Sequence, residues 1–158
     1  MHLDFRKFGV GPGFVALSLI FAAVVLLIQY GWLENPTFTL GSRWVNLTLG
    51  GVWTLVGLLV FGASVVQFRQ CYRRGTLCTR GVYALMRHPM YGAWIVFIVP
   101  GVVVALGSVC GLTVPVWMAG VFGRLIGKEE RWLEAHFGEA YREYRRRVGM
   151  LGPLLFRR

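Results

Sequence analysis

Acidic side chains are scarce in this chain. Seven Asp and Glu stand against seventeen Lys and Arg, and charged residues together make up only 15% of the 158. Ordinary soluble domains carry about 25% charge, so a typical soluble globular domain is excluded. Charge is missing altogether from residues 13–33 and again from 89–123. Uncharged apolar runs of this kind are what a hydrocarbon core of about 30 Å demands of a spanning helix. A glycine-rich phosphate loop is also lacking. Cysteine is sparse, and Cys71, Cys78 and Cys110 have neither metal-ligand nor disulfide spacing. They read as small apolar residues near helix ends, and no metal site is expected.

What is present is apolar: 56% of the chain, with a mean hydropathy of +0.57. The net charge of +10 lies beside hydrophobic runs. It therefore points to membrane topology and anionic lipid headgroups, and away from nucleic acid. The pattern predicts an all-α, single-domain integral membrane four-helix bundle. Its spans fall at about 13–33, 44–68, 89–106 and 109–127, with residues 128–158 as a cytoplasmic helical tail.

The first run follows Arg6 and Lys7, yet it is too long for a signal-peptide core, and Gln29-Tyr30-Gly31-Trp32 is no cleavage site. Tyr30 and Trp32 suit an interface, and Asn35-Pro36 marks the turn that follows. Gly50, Gly51, Gly57 and Gly62 in the second span suit close helix packing. Arg69, Arg73, Arg74, Arg80 and Arg87 follow with no acid among them, which assigns that loop and both termini to the cytoplasm.

Residues 107–111 supply a hairpin turn between two arms kinked at Pro100 and Pro115. Gly120, Gly123 and Gly127 share one helix face and are expected to pack against a neighbour. Leu133, Phe137, Tyr141, Tyr144 and Val148 form an apolar stripe at helical spacing. Phe137 and Gly138 predict a bend, with Glu139 opening a short second helix. Pairing of Glu139 with Arg142, and of Glu143 with Arg146 and Arg147, supports an amphipathic helix at the lipid interface. The tail from Gly149 reads as a loop ending in a short apolar segment and two arginines.

The segment 80–91 concentrates the polar chemistry. Gly81 opens a turn, a short helical stretch follows over 82–86, and His88 is forced out of helical geometry by the proline after it. Pro89 suits the first position of the next helix. Two clusters face one membrane side if the third and fourth spans fold back on each other. Tyr83, Arg87, His88 and Tyr91 precede the third span, while Arg124, Glu129, Glu130 and Glu134 follow the fourth. Singly, each has a plain reading as an interfacial aromatic or a solvated charge. Together they make a site for a ligand with charges of both signs.

The ordered set Gly81-Val82-Tyr83, Arg87-His88-Pro89-x-Tyr91, an apolar hairpin, Glu129-Glu130-x-x-Leu133 and Phe137-Gly138-x-x-Tyr141-x-x-Tyr144 resembles the isoprenylcysteine carboxyl methyltransferase family. Phospholipid N-methyltransferases share a looser form of this core. The resemblance covers roughly 79–148. The family pattern has glycine two places after the tyrosine of its histidine–proline motif, where this chain has Ala93, with Gly92 one place earlier.

The resemblance implies S-adenosylmethionine as cofactor, with Tyr83, His88, Tyr91, Glu129 and Glu130 at its site. Aromatic faces and carboxylates suit its sulfonium and ammonium, and Arg or His suits its carboxylate. A carboxylate acceptor needs an orienting cation, for which Arg87 and Arg124 are the candidates. An amine or thiol must lose a proton, to Glu130 or His88. The acceptor is expected to be amphiphilic, or prenylated, and drawn from the bilayer. Two other classes compete. One is an NADPH-dependent membrane reductase with a related histidine–proline–x–tyrosine segment. The other is a non-enzymatic membrane protein that binds lipid through its basic loop.

Overall fold

A computed structural model describes residues 11–33 and 36–152. The sequence readings on Arg6, Lys7, Asn35 and residues 153–158 lie outside the described residues. Five helices account for most of the rest: α1 Gly11–Gly31, α2 Arg43–Arg74, α3 Pro89–Leu106, α4 Thr113–Phe137 and α5 Glu139–Arg147. The first four are long and apolar enough to cross a membrane. The protein is therefore an all-α, multi-pass membrane bundle. Helix α1 packs on α4, and α2 packs along α3.

Close backbone approach fixes the α2–α3 contact. A Cβ on Gly50 would lie 2.4 Å from both the Ala105 nitrogen and the Gly101 oxygen, and one on Gly57 would lie 2.7 Å from Ile98 and Phe97 side-chain atoms. Packing at small residues is the main device available in lipid, which is as apolar as the helices themselves. A Cβ on Gly51 or Gly62 would meet nothing within 4 Å among the described residues, so only part of the predicted glycine set packs.

The α3 backbone widens to π geometry over Ala93–Ile98, just ahead of Pro100. Proline has no N–H to offer the carbonyl four residues back, and the Trp53 indole N–H of α2 donates to that carbonyl, Val96 O, at 3.0 Å. An unpaired carbonyl in hydrocarbon would cost several kcal/mol.

At the end of the bundle remote from residues 80–91, Asn46 ties down the α1–α2 connection. Its amide donates to Phe38 O and its Oδ1 accepts from Leu40 N. The hairpin turn falls at Gly107 as expected, followed by a 3₁₀ turn over Cys110–Leu112. Ser108 donates there to Gln29 of α1.

Three sequence expectations are corrected. Helix α2 continues to Arg74, so Arg69, Arg73 and Arg74 ride on helix and not on a loop. The chain then reverses at Gly75, whose φ of 63° is the left-handed conformation glycine adopts freely. This brings Cys78 back onto Cys71, and the two form a disulfide with Cα atoms 5.7 Å apart, leaving Cys110 free. Finally, Gly120, Gly123 and Gly127 do not pack a neighbouring helix. Among the described residues a Cβ on Gly123 would meet nothing within 4 Å, and one on Gly120 or Gly127 would meet the guanidinium group of Arg124 or Arg131 on the same helix.

The bend at Gly138 (φ 54°) and the short helix after it occur where expected. Glu139 pairs with Arg142 and Arg146, and Glu143 with Arg147. The other face of α5 turns inward and buries Tyr141 and Tyr144, so this helix packs on the protein as well as presenting a charged exterior. Beyond it, residues 149–151 run back beside the segment before α3. Arg87 N donates to Gly149 O and His88 N to Met150 O.

Candidate active site

The start of α3 and the end of α4 meet at one end of the bundle. The approach to α3 is a single 3₁₀ turn, Gly81–Ala84, and His88 has φ −123° and ψ 64°. That non-helical geometry follows from Pro89, the first residue of α3. Gly81 has φ +59°, and the Gln67 amide lies where a Cβ would stand. Gln67 Oε1 in turn accepts from Val82 N. The turn is thereby pinned to α2, and Tyr83, Arg87 and His88 are directed inward.

At the centre lies a buried ion cluster. Arg87 Nη1 is 2.5 Å from Glu130 Oε1, with the two side chains 1% and 7% exposed. His88 lies between the adjacent glutamates. Its Nε2 is 3.4 Å from Glu130 Oε1, and its Nδ1 is 3.7 Å from Glu129 Oε1. Burial by itself would lower the His88 pKa. The two carboxylates outweigh it, with Glu129 the stronger, and hold the imidazole above its ordinary range. A ring flanked by carboxylates at both nitrogens suits the doubly protonated form. Arg145, from α5, closes the acidic side at 4.0 Å from Glu130 and 3.5 Å from Glu134.

Aromatic side chains line the rest. The Tyr91 hydroxyl donates to Glu129 Oε2 at 3.2 Å, and Phe122 packs against both the Tyr91 and His88 rings. Tyr144 donates to Tyr83 O at 2.6 Å. Burial raises the pKa of Tyr83, Tyr141 and Tyr144, with help from Glu129, Glu130 and Tyr83 respectively. All three stay as neutral phenols at physiological pH. Among the described residues three buried polar atoms lack a close hydrogen-bond partner, Arg87 Nε and Tyr141 OH in this cluster and Ser18 Oγ in α1. Buried polar groups are nearly always hydrogen-bonded, so the first two mark where a ligand or water completes the cluster.

Two cavities open beside this cluster. The smaller, about 90 Å³, is walled by Tyr83, Arg87, His88, Tyr141 and Tyr144 and by the disulfide-closed loop 71–78. The larger, about 430 Å³, is almost wholly apolar and runs between α1 and α2, past Phe14, Ala22, Trp94 and Met118. Phe68, Met90, Tyr91 and Glu129 line both.

Of the sequence candidates, the structure brings together Tyr83, Arg87, His88, Tyr91, Glu129 and Glu130. It does not bring in Arg124, which is exposed and donates to Gly120 O of its own helix. Sequence reasoning misses Tyr141, which it puts on an apolar stripe, and Arg145, to which it gives no role. The stripe was the available signal: Leu133, Phe137, Tyr141 and Tyr144 all wall the smaller cavity.

The Isoprenylcysteine carboxyl methyltransferase (ICMT) family profile matches residues 39–135. The chain belongs to this family. Among curated members, it is 29% identical over 133 residues to the human protein-S-isoprenylcysteine O-methyltransferase, covering 68% of this chain and 47% of that one. It is 30% identical over 146 residues to a probable protein-S-isoprenylcysteine O-methyltransferase of Oryza sativa, covering 82% and 75%. The chain spans about half the length of the first curated family members it matches. The structure of the eukaryotic intramembrane Ras methyltransferase ICMT shares the fold, with a TM-score of 0.67 at 21% identity over 89% of this chain and 52% of that one.

Proposed function

We propose that this chain is a membrane-embedded methyltransferase that uses S-adenosylmethionine and takes an amphiphilic acceptor from the bilayer. One observation carries the reading: a small, mainly aromatic cavity with Arg87, His88 and Glu129 in its wall and a large apolar one meet at Tyr91 and Glu129. A soluble donor and a lipid-like acceptor would meet there. Family kinship makes the carboxyl group of an isoprenylated cysteine the first acceptor to test, since that is the chemistry its relatives are named for. The arginines crowding the loop end of α2 favour a cytoplasmic site, where the donor is drawn from the cytosol.

The residues fit the donor. Glu129 offers a carboxylate to a cation, and tyrosine and phenylalanine faces suit both a sulfonium and an adenine. Arg87 Nε, without a hydrogen-bond partner among the described residues, is a donor for a carboxylate. When bound, the cofactor supplies an electrophilic methyl group. The protein's part is to align the acceptor and exclude water. Arg87, Glu130 and Arg145 act as a rigid base for the cavity, since their charges are mutually engaged. Among the described residues Glu129 engages the Tyr91 hydroxyl and His88 Nδ1, and it lines both cavities.

A second acceptor class has one observation in its favour. Glu129 is the carboxylic side chain of the apolar cavity, whose lining contains no arginine, lysine or histidine among the described residues. A carboxylate suits an amine or thiol acceptor, whose proton it can take. Calorimetric titration of the purified protein in detergent separates the enzyme classes. Saturable S-adenosylmethionine binding without NADPH binding is the expected result, and the reverse overturns the reading in favour of a reductase. Binding of neither would leave a lipid-binding membrane protein.

A further inference from the structure

A third hollow, about 470 Å³, lies on the outer side of the loop that walls the smaller cavity. Its lining holds two arginines, Arg74 and Arg80, with Gln67, Gln70, Thr76 and Thr79, and no carboxylate among the described residues. Neither arginine has an ion-pair partner among the described residues. A polar recess with two unpaired guanidinium groups and only neutral donors between them suits a phosphate, which arginine engages through paired N–H groups.

Its depth says where that phosphate comes from. Helix α2 has 32 residues and is about 48 Å long at 1.5 Å per residue, well beyond the hydrocarbon core of about 30 Å. Counted from Trp44, the core ends near Ser64, and Gln67 stands about 5 Å further on, in the headgroup layer. The loop folds back to this level, because Val82 N donates to Gln67 Oε1. Arg80 therefore returns toward the membrane. Arg74 lies further out, but side chains on a helix lean toward its N-terminus, which here is toward the lipid. On the lipid side of this level α2 exposes Leu59 and Val66, about a quarter-turn round the helix from the face that lines the hollow.

We propose that this hollow is a binding site for the phosphate of an anionic phospholipid headgroup, held between Arg74 and Arg80. It is separate from the cavities assigned to donor and acceptor, although Cys71, Thr76, Leu77 and Cys78 wall both it and the smaller cavity. A bound headgroup braces that shared wall from outside.

Native mass spectrometry of the full chain in detergent tests this, with phosphatidylglycerol, phosphatidylcholine and inorganic phosphate as separate titrants. Arg69 and Arg73 lie on the same stretch of α2 but do not line the hollow, so they control for diffuse charge. The wild type should retain one phosphatidylglycerol at least about tenfold more tightly than phosphatidylcholine. R74Q/R80Q should abolish that preference, and R69Q/R73Q should leave it within about twofold. All three proteins should keep the same melting temperature, since the four arginines are exposed. Equal losses in both double variants, or no preference in the wild type, overturn the proposal. Displacement of the lipid by equimolar inorganic phosphate assigns the hollow to a free anion and overturns the lipid source.

Discussion

Glu129 and Glu130 are neighbours in sequence but should fail differently when neutralised. Glu130→Gln removes the carboxylate from a pair whose members are 1% and 7% exposed and 2.5 Å apart, and leaves Arg87 buried with its charge unmatched. Breaking a buried ion pair on one side costs about 3–5 kcal/mol. For a chain of this size that corresponds to about 6–20 °C in melting temperature. Glu129→Gln removes a carboxylate, 17% exposed, that accepts from the Tyr91 hydroxyl and lies 3.7 Å from His88 Nδ1, with the Glu130 carboxylate left to hold the His88 charge. That loss is about 1 kcal/mol of stability, or roughly 2–4 °C, but it takes away the carboxylate that faces both cavities. Thermal denaturation in detergent, paired with calorimetric titration of S-adenosylmethionine, reads both effects. Glu130→Gln should melt far below the wild type, while Glu129→Gln should melt near it with weakened donor binding. Equal melting temperatures for the two variants would refute the assignment of Glu130 to structure and Glu129 to ligand.

Other consequences follow from the same geometry. The elevated pKa of His88 means that the fold favours its protonated form. Its contribution is complete below about pH 6.5 and is lost as pH rises through the elevated value. The melting temperature should therefore fall as the pH is raised above that point, and His88→Gln should flatten the dependence; a slope unchanged in the variant would contradict the charged bridge. Gly50→Ala, which drives a Cβ to 2.4 Å from α3 backbone atoms, should destabilise by about 1–3 kcal/mol or more. Gly51→Ala, with nothing within 4 Å, should be neutral or slightly stabilising, and paired melting curves compare the two directly. Arg124→Gln should leave donor binding and turnover unchanged, because its guanidinium lies on its own helix outside both cavities. A large loss of turnover would return Arg124 to the site.

Much of this arrangement is legible in the sequence wherever the backbone is punctuated. His88 before Pro89, Gly107 at the hairpin and Gly138 after Phe137 each mark a break, because steric rules act locally there. The identity of the clustered residues is legible too, since polar groups flanking uncharged spans have few places to go. The division of labour between Glu129 and Glu130 is not. Consecutive residues point about 100° apart on a helix, and only the rotation of α4 decides which one meets Arg87.

Arg145 and Tyr141 were hidden for a related reason. An amphipathic stripe reports which face is covered, but not whether lipid or protein covers it. The glycines at 120, 123 and 127 show the same ambiguity, since the bilayer and a neighbouring helix are equally apolar. The Cys71–Cys78 link depends on the reversal at Gly75 after two helical turns that hydropathy assigned to a loop.

The central claim is that the two cavities meeting at Tyr91 and Glu129 are a donor site and an acceptor site. Incubating the reconstituted protein with methyl-labelled S-adenosylmethionine and membrane extract, then following label into the organic phase, tests it most directly. Wild-type protein should transfer label to an extractable amphiphile, and Glu129→Gln should lose at least about tenfold, one charge-assisted contact. No label in the organic phase from the wild type, or undiminished transfer by Glu129→Gln, would contradict it.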